Sequence, residues 1–301
     1  MAAPGNTART LIHWGAEQFE QAGLVYAHGT DNALDEAASL VMHTLHIGYD
    51  QPDSVLDDII ADTARDTAMQ LLEARIDSRK PAAYLISRAG FAGLSFFVDE
   101  RVLIPRSPIA ELIESKFSPW IDAGRVSRLL DMCTGCGCIG IACAHVFPEV
   151  QVDVSDVSTA ALAVASENIR QHGLERRVQA LESDVFSALQ GQRYDIIVVN
   201  PPYVPQQDQQ QLAPEFAHEP SLGLFAGADG LDIVVKILRE ASSHLTPAGI
   251  LVVEVGYTQQ RLMQRFPDIP FLWLEFEYGG EGVFIMEAAQ LQLYQATFDQ
   301  A

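Results

Sequence analysis

From residue 126 onward the sequence alternates short apolar runs with helical patterns, and this alternation constrains the fold more than any other feature. The runs are continuous and rich in β-branched residues, as in Tyr194–Val199, which is typical of parallel strands buried on both faces. Strands that alternate with helices predict an α/β fold with a doubly wound, mostly parallel sheet. Counting two strands near the carboxyl terminus, we expect seven strands.

Polar or flexible residues stand at the ends of the predicted strands. The carboxyl ends of parallel strands lie along one edge of the sheet, where ligands bind in such folds. Each residue alone is compatible with an ordinary cap or turn, but their recurrence predicts one binding site. The residues are Asp131, Gly135, Asp156, Asp184 and Asn200.

The fourth strand is followed by the motif Asn200-Pro201-Pro202-Tyr203. Two consecutive prolines stop both strand and helix, and their carbonyls have no competing N–H. The Asn200 side-chain oxygen and the Pro201 carbonyl are two acceptors, and Tyr203 adds an aromatic face. Such a rim suits a planar –NH2 group, so it predicts an amide or an aromatic amine as substrate. By itself, the motif is equally consistent with a strand-ending turn.

Residues 1–88 predict a small helical domain, because apolar residues recur there at spacings of three and four. Either Asp31 or Asn32 is placed to cap the second helix. The predicted helices cover residues 11–19, 33–45 and 61–78, the last ending before Pro81.

Residues 89–106 contain two apolar runs around Asp99 and Glu100, which predict a β-hairpin linker with its turn at that polar pair. The α/β domain then covers residues 107–301. Its first helix is expected to have Ser107 as N-cap and Pro108 at the first helical position.

The chain of 301 residues has a formal net charge of −21 and only three lysines. This charge disfavours binding to a nucleic-acid backbone and suits a basic protein partner, although solubility alone also accounts for it. No apolar stretch reaches the roughly 18–20 residues of a membrane span, and the first residues lack a signal-peptide pattern. We therefore expect a cytoplasmic protein that binds neither membrane nor nucleic acid directly.

All four cysteines lie between residues 133 and 143, too close together for a disulfide framework across the fold. The spacing lacks two separated ligand pairs, so no metal site is expected. Cys133-Thr134-Gly135-Cys136 does match a redox C-x-x-C motif at a helix start, which leaves thiol chemistry open.

Gly135, Gly137 and Gly140 match the spacing of a dinucleotide-binding loop, and Asp156 follows at a distance suited to a ribose. An NAD-dependent dehydrogenase is therefore an open alternative. Against it, the carboxylate of Asp131 precedes the glycines, where it would repel a pyrophosphate but attract an ammonium group.

S-adenosylmethionine carries that ammonium group together with a ribose and an adenine. In this interpretation Asp184 accepts a hydrogen bond from the adenine amine, and the backbone of Val185 binds the ring. The Asn-Pro-Pro-Tyr rim then holds the substrate –NH2 group, which receives the methyl group, beside the sulfonium.

These motifs together resemble the HemK-like glutamine-amide methyltransferases, class I enzymes that modify translation proteins. The resemblance covers nearly the whole chain and includes residues 130–137, 155–158, 182–186, 200–203, 218–220 and 225–231. It implies a Rossmann-like fold and a cofactor site for S-adenosylmethionine formed by Asp131, Cys133, Thr134, Gly135, Cys136, Gly137, Asp156, Asp184, Val185 and Asn200. It also implies a glutamine site formed by Asn200, Pro201, Pro202 and Tyr203, with Asn200, Pro201 and Tyr203 acting in catalysis.

One departure from the family pattern is Cys133, where many relatives carry Gly. A small side chain is expected to preserve cofactor binding there.

Residues 103–111 are similar to the branch of this family that methylates ribosomal protein L-three of the large subunit. The release-factor branch typically has Asp-Thr-Glu where this chain has Ile109-Ala110-Glu111. The resemblance implies a basic ribosomal protein as substrate, and a release factor is the alternative. Methylation of an adenine amine in nucleic acid is a further alternative, which the lack of a basic face disfavours.

Overall fold

The computed structural model describes residues 5–301, which form two compact units. One unit comprises the described residues up to Ala89 together with Ala213–His218. The other comprises Gly90–Leu212 and Glu219–Ala301. Within the described part of the chain, no helix is both long and apolar enough to cross a membrane.

Three helices pack together in the first unit: α1 (Ala8–Gln21), α2 (Ala33–Thr44) and α3 (Asp62–Ser78), followed by the short α4 (Ala82–Leu85). Leu11, Leu40 and Leu72, one from each long helix, are fully buried in their common core. The side chain of Asn32 caps α2 by accepting the N–H of Asp35 at 2.9 Å. The three predicted helices are therefore present, and Asn32 is the N-cap of the second.

A buried charge cluster lies inside this helical unit. Arg75 is 0% exposed, and its Nε donates to Glu36 at 3.0 Å. Oε1 of Glu215 lies 2.7 Å from Arg79 Nη2 and 3.9 Å from Arg75 Nη1, and it accepts the N–H of Val25 at 3.1 Å. Buried charges are costly unless they are paired, so each member of the cluster depends on the others.

Replacing Arg75 with Met should lower the free energy of unfolding by about 3–5 kcal/mol, because the buried carboxylate of Glu36 would lose its partner and that of Glu215 would keep only Arg79. Urea denaturation followed by circular dichroism measures the loss. Arg9→Met, which removes two exposed ion pairs from α1, is the control and should cost less. Equal losses in the two variants would contradict the burial argument.

The predicted hairpin is present, but its turn lies earlier in the chain. Strands β1 (Ala89–Phe91) and β2 (Leu94–Phe96) pair around Ala92 and Gly93, whose φ angles are 48° and 72°. Tight hairpin turns need such positive φ values, which glycine adopts readily. The placement at Asp99 and Glu100 was wrong, because Asp99 instead accepts local hydrogen bonds from Arg101.

A seven-stranded sheet forms the centre of the second unit. Across the sheet the order is β5-β4-β3-β6-β7-β9-β8, and β9 runs in the direction opposite to the other six strands. The strands are β3 (Arg128–Met132), β4 (Gln151–Asp156), β5 (Val178–Glu182), β6 (Tyr194–Val199), β7 (Leu245–Glu254), β8 (Leu272–Trp273) and β9 (Val283–Glu287). The predicted doubly wound, mostly parallel sheet is confirmed.

The helices of the second unit are α5 (Ile109–Glu114), α6 (Cys138–Val146), α7 (Thr159–Gln171), α8 (Ser221–Leu224), α9 (Asp232–His244), α10 (Gln259–Arg265), α11 (Ala288–Leu293) and α12 (Gln295–Asp299). The N-cap of α5 is Pro108 and not the predicted Ser107, although Ser107 Oγ accepts the N–H of Ile109. Ser158 Oγ caps α7, as predicted. Helices α11 and α12 were not predicted, and their Leu291 and Phe298 are fully buried in the core of this unit.

Candidate active site

A cavity of about 160 Å³ lies at the carboxyl edge of the sheet. Strand order reverses between β3 and β6, and a crevice forms at such a reversal in doubly wound sheets. Predicted site residues that line the cavity are Cys133, Thr134, Gly135, Cys136, Asp156, Asp184, Val185, Asn200 and Pro202. Four predicted residues do not line it, namely Asp131, Gly137, Pro201 and Tyr203.

Two glycines of the loop after β3 have distinct structural roles. Gly135 has a φ of 55°, and a Cβ built on it would meet no atom within 4 Å, so its face is open to a ligand. A Cβ on Gly140 would lie 2.5 Å from Val154 Cγ1, so this glycine allows α6 to pack closely against β4. Gly135 therefore leaves space for a ligand, and Gly140 permits close contact between the helix and the sheet.

Cys133 is in the left-handed region, with a φ of 57°. An L-residue with a side chain costs about 1–2 kcal/mol in this conformation, which glycine adopts readily. The backbone of this chain is therefore strained at the first residue of the loop.

The four cysteine thiols are free. Burial raises the pKa of the Cys133 and Cys143 thiols, while a hydrogen bond with Cys136, followed by burial, raises that of Cys138. The reactive form of cysteine is the thiolate, so these environments disfavour the redox interpretation of the loop.

Replacing Cys133 with Gly should raise the free energy of unfolding by about 0.5–1 kcal/mol. The relief of strain exceeds the extra conformational entropy that glycine loses on folding. Urea denaturation measures the difference. Cys133→Ser keeps the Cβ and is the matched control, so an equal gain in Ser and Gly variants would contradict this explanation.

Asp131 is 1% exposed and lies beneath the loop. Its Oδ2 accepts hydrogen bonds from the Thr134 hydroxyl and from the N–H of Gly140, while Oδ1 has no partner among the described residues. Burial raises the pKa of the Asp131 carboxyl to about 7. The contacts that the structure shows for Asp131 therefore hold the loop against the start of α6.

This raised pKa gives a pH dependence of stability with a defined sign. The contribution of Asp131 is fully present below its unfolded value of 3.8 and is lost as the pH rises through about 7. Between pH 5 and 8, wild type should lose roughly 2–3 kcal/mol more of its free energy of unfolding than Asp131→Asn. Urea denaturation at both pH values tests this, and parallel pH profiles would contradict it.

Asp156 joins the loop to the end of β4. Oδ2 accepts the N–H of Gly135 at 3.0 Å, and Oδ1 accepts the N–H of Ser158 at 2.8 Å. Burial raises the pKa of this carboxyl above its usual range. Each carboxylate oxygen retains a lone pair, so the group can accept further hydrogen bonds from a ligand in the cavity.

Asp184 and Val185 follow β5 on the same wall. The Asp184 carboxylate is exposed and lies 3.6 Å from Lys236 Nζ. Val185 has a φ of 53°, an uncommon value for a β-branched residue. Backbone strain of this kind is often found at ligand sites.

Asn200 and Tyr203 have different surroundings within one motif. The Asn200 side chain lines the cavity and has no hydrogen-bond partner among the described residues. Tyr203 does not line the cavity, and its ring is edge-on to Tyr257 at a centroid distance of 6.2 Å. A Cβ on Gly256 would lie 2.8 Å from Tyr203 Cε2, so the ring is held closely against that glycine.

Two wall segments were not assigned to the site from sequence, residues 101–107 and 220–225. Arg106 and Glu219 join them through paired hydrogen bonds of 2.6 and 2.7 Å, and Glu219 also accepts the N–H of Ile104. These residues are 113 positions apart. No local sequence pattern indicates a contact over that separation.

Asn168 is a further residue that sequence reasoning missed. It is fully buried on α7, and its Nδ2 donates to the carbonyls of Cys136 and Phe97. Its Oδ1 accepts the N–H of Phe97 at 2.7 Å. Asn168 thus fixes one side of the loop that lines the cavity.

Comparison with known proteins identifies the family. Residues 117–229 match the family model of the methyltransferase small domain. A ribosomal protein uL3 glutamine methyltransferase of Xanthomonas campestris pv. campestris is 46% identical over 296 residues, which are 98% of this chain and 96% of that protein. The chain belongs to the ribosomal protein uL3 glutamine methyltransferase family.

A second member of this methyltransferase family, from Francisella tularensis subsp. tularensis, is 43% identical over 97% of this chain and 94% of its own length. Among solved structures, the 16S rRNA N2 G1207 methyltransferase of T. thermophilus in complex with AdoMet and guanosine matches with a TM-score of 0.46. The identity is 20%, over 66% of this chain and 49% of that chain. The prediction of a HemK-like methyltransferase is confirmed, and the dehydrogenase alternative is wrong.

Proposed function

We propose that this methyltransferase transfers a methyl group from S-adenosylmethionine to the side-chain amide nitrogen of a glutamine in ribosomal protein uL3. The observation that carries the proposal is the Asn200 amide, which has no partner among residues 5–301 and lines the same cavity as Asp156 and the loop after β3. The names of the two relatives support glutamine as the residue and uL3 as the protein.

The residues of the cavity fit S-adenosylmethionine. The open face of Gly135 leaves room for the methionine moiety, and the free lone pairs of Asp156 can accept from the ribose hydroxyls. Asp184 would accept from the adenine amine, and the Val185 backbone would bind the ring. Cys133, Thr134, Cys136 and Gly137 form the rest of the loop, and Asn200 completes the proposed set.

Asp131 has an indirect part in this proposal. When it is ionised, the Asp131 carboxylate places a negative charge beneath the loop, and this charge attracts the cationic ammonium group of the cofactor. Its Oδ1 has no partner among the described residues that would offset this charge. Its two hydrogen bonds keep the loop in the conformation that the ligand meets.

When bound, S-adenosylmethionine supplies an electrophilic methyl group. An amide nitrogen is a weak nucleophile, because its lone pair is delocalised into the carbonyl. Asn200 Oδ1 and the Pro201 carbonyl would accept its two N–H groups, which fixes the amide and favours positive charge on nitrogen. Pro202 and Tyr203 would position the side chain, and such orientation can supply about 7–11 kcal/mol of barrier lowering. The released proton passes to water.

We assign recognition of the protein substrate to the helical region of residues 1–88, with 89–106 as linker and 107–301, apart from Ala213–His218, as the transfer domain. All residues that line the described cavity belong to the second unit, which leaves the helical unit available for recognition. The net charge of −21 supports a basic protein client and disfavours direct nucleic-acid binding. We place this activity in the cytoplasm.

Asn200→Ala should abolish methyl transfer while S-adenosylmethionine still binds, because the amide acceptor is lost but Asp156, Asp184 and the loop after β3 remain. Asp156→Ala should instead weaken cofactor binding about tenfold or more, as expected when charge-assisted hydrogen bonds are removed. A labelled-methyl assay and titration calorimetry measure the two effects, and each variant is the control for the other. Turnover by Asn200→Ala would reject its role in transfer.

The substrate is tested by incubating the full-length protein with labelled S-adenosylmethionine and separated ribosomal proteins and release factors. Mass spectrometry then locates the label. We expect a methylated glutamine in uL3. Label on a release factor would establish the alternative client, and label confined to another residue type or to RNA would overturn the proposal.

A further inference from the structure

Glu254 is a buried carboxylate next to the Asn-Pro-Pro-Tyr motif, and the reaction described above does not use it. Val253 pairs with Val199 in neighbouring parallel strands, so Glu254 and Asn200 are the next residues at the same edge of the sheet. Glu254 is 4% exposed. Its position at the site is therefore set by strand register.

Two hydroxyl groups meet this carboxylate from two different segments. Ser107, on the cavity wall, donates to Oε2 at 2.5 Å, and Tyr203 donates to Oε1 at 3.5 Å. Glu254 thus connects the segment before α5 with the loop that carries Asn200.

We infer that Glu254 is a positioning residue for methyl transfer, which acts by holding the hydroxyl of Tyr203. The inference rests on the proposed function, because that function gives Tyr203 its substrate. Glu254 itself contacts neither the amide nor the cofactor in this scheme.

The packing around Tyr203 explains why its hydroxyl needs a partner. Gly256 and Tyr257 confine the ring, and a Cβ on Gly230 would lie 2.2 Å from the Tyr203 carbonyl oxygen, so the backbone is confined as well. These contacts fix where the ring lies, but they are apolar or involve the main chain. The bond to Glu254 is the polar contact that the structure gives the hydroxyl.

A carboxylate is unfavourable as a side chain that only fills space, because burying an ionisable group costs several kcal/mol unless it is paired. The charged and titratable groups that face Glu254 are Arg106 and Tyr203, and Arg106 is itself paired with Glu219. On the neighbouring strand β9 the paired residue is Val283, which is apolar. An ionisable group in these surroundings is better explained by its hydrogen bonds than by packing.

Protonation changes what Glu254 can do. Burial raises the pKa of its carboxyl to about 7, against the lowering effects of Ser107, Arg106 and Tyr203. The ionised form accepts from both hydroxyls through charge-assisted bonds, which are stronger than neutral ones. The hydrogen bond from the Tyr203 hydroxyl to Glu254 should therefore strengthen as the pH rises through about 7.

The test measures kcat for methylation of purified uL3 by wild type, Glu254→Gln, Tyr203→Phe and the double variant. Each single variant should lower kcat about tenfold, the effect of one hydrogen bond to a charged group, without changing KM for the cofactor. The double variant should be no slower than the singles, because both remove the same contact. Glu149→Gln, an exposed carboxylate change, is the matched control and should leave kcat unchanged.

The pH profile provides a second readout. Wild-type kcat should rise through about pH 7, and both single variants should lose that rise. If Glu254→Gln does not fold, the profile of Tyr203→Phe still decides the question. Additive losses in the double variant, or a rise near pH 7 that persists in Tyr203→Phe, would overturn the inference. A wild type that methylates no uL3 glutamine would overturn the proposed function and the inference with it.

Discussion

The pairing of β3 with β6 is the constraint on which the site depends. Met132 lies opposite Val199 at the end of this ladder, so Cys133 and Asn200 leave the sheet side by side. One begins the loop proposed for the cofactor, and the other begins the motif proposed for the amide. A slip of one residue would turn every side chain of a strand to the opposite face and would separate these two positions.

Around this pair of strands, several polar contacts hold separate segments in place. Three side chains bind the loop after β3 or the helix start that follows it. Asp131 accepts the N–H of Gly140, Asn168 on α7 donates to the Cys136 carbonyl, and Asp156 at the end of β4 accepts the N–H of Gly135. Arg106 and Glu219 join the two wall segments that are far apart in sequence. The cavity is thus formed by strand ends and by loops that several polar contacts within the second unit hold in place.

Sequence reasoning predicted the features that have a local physical cause. Continuous β-branched runs predicted the strands, and side chains such as Asn32 and Ser158 predicted helix starts. The hairpin turn was placed wrongly because a positive φ at Ala92 has no clear signature. The two hydrogen bonds by which Asp131 holds the loop were not predicted, because its burial beneath the loop depends on packing that spacing alone does not reveal.

Contacts between distant residues could not be predicted from one sequence. The pairs of Arg106 with Glu219 and of Arg75 with Glu36 each join residues on separate segments. In the sequence, nothing distinguishes these charged residues from others, because only the fold brings the partners of each pair together. The positive φ of Cys133 likewise has no signature in the sequence.

The segment Ala213–His218 lies in the helical unit, although its neighbours on both sides belong to the other unit. The main chain therefore passes between the units three times. A fragment ending at Ala89 would retain Arg75 and Glu36 but lose Glu215, which shares their buried cluster. Exchange of this helical module between related enzymes would consequently require two separate pieces of coding sequence to be transferred together.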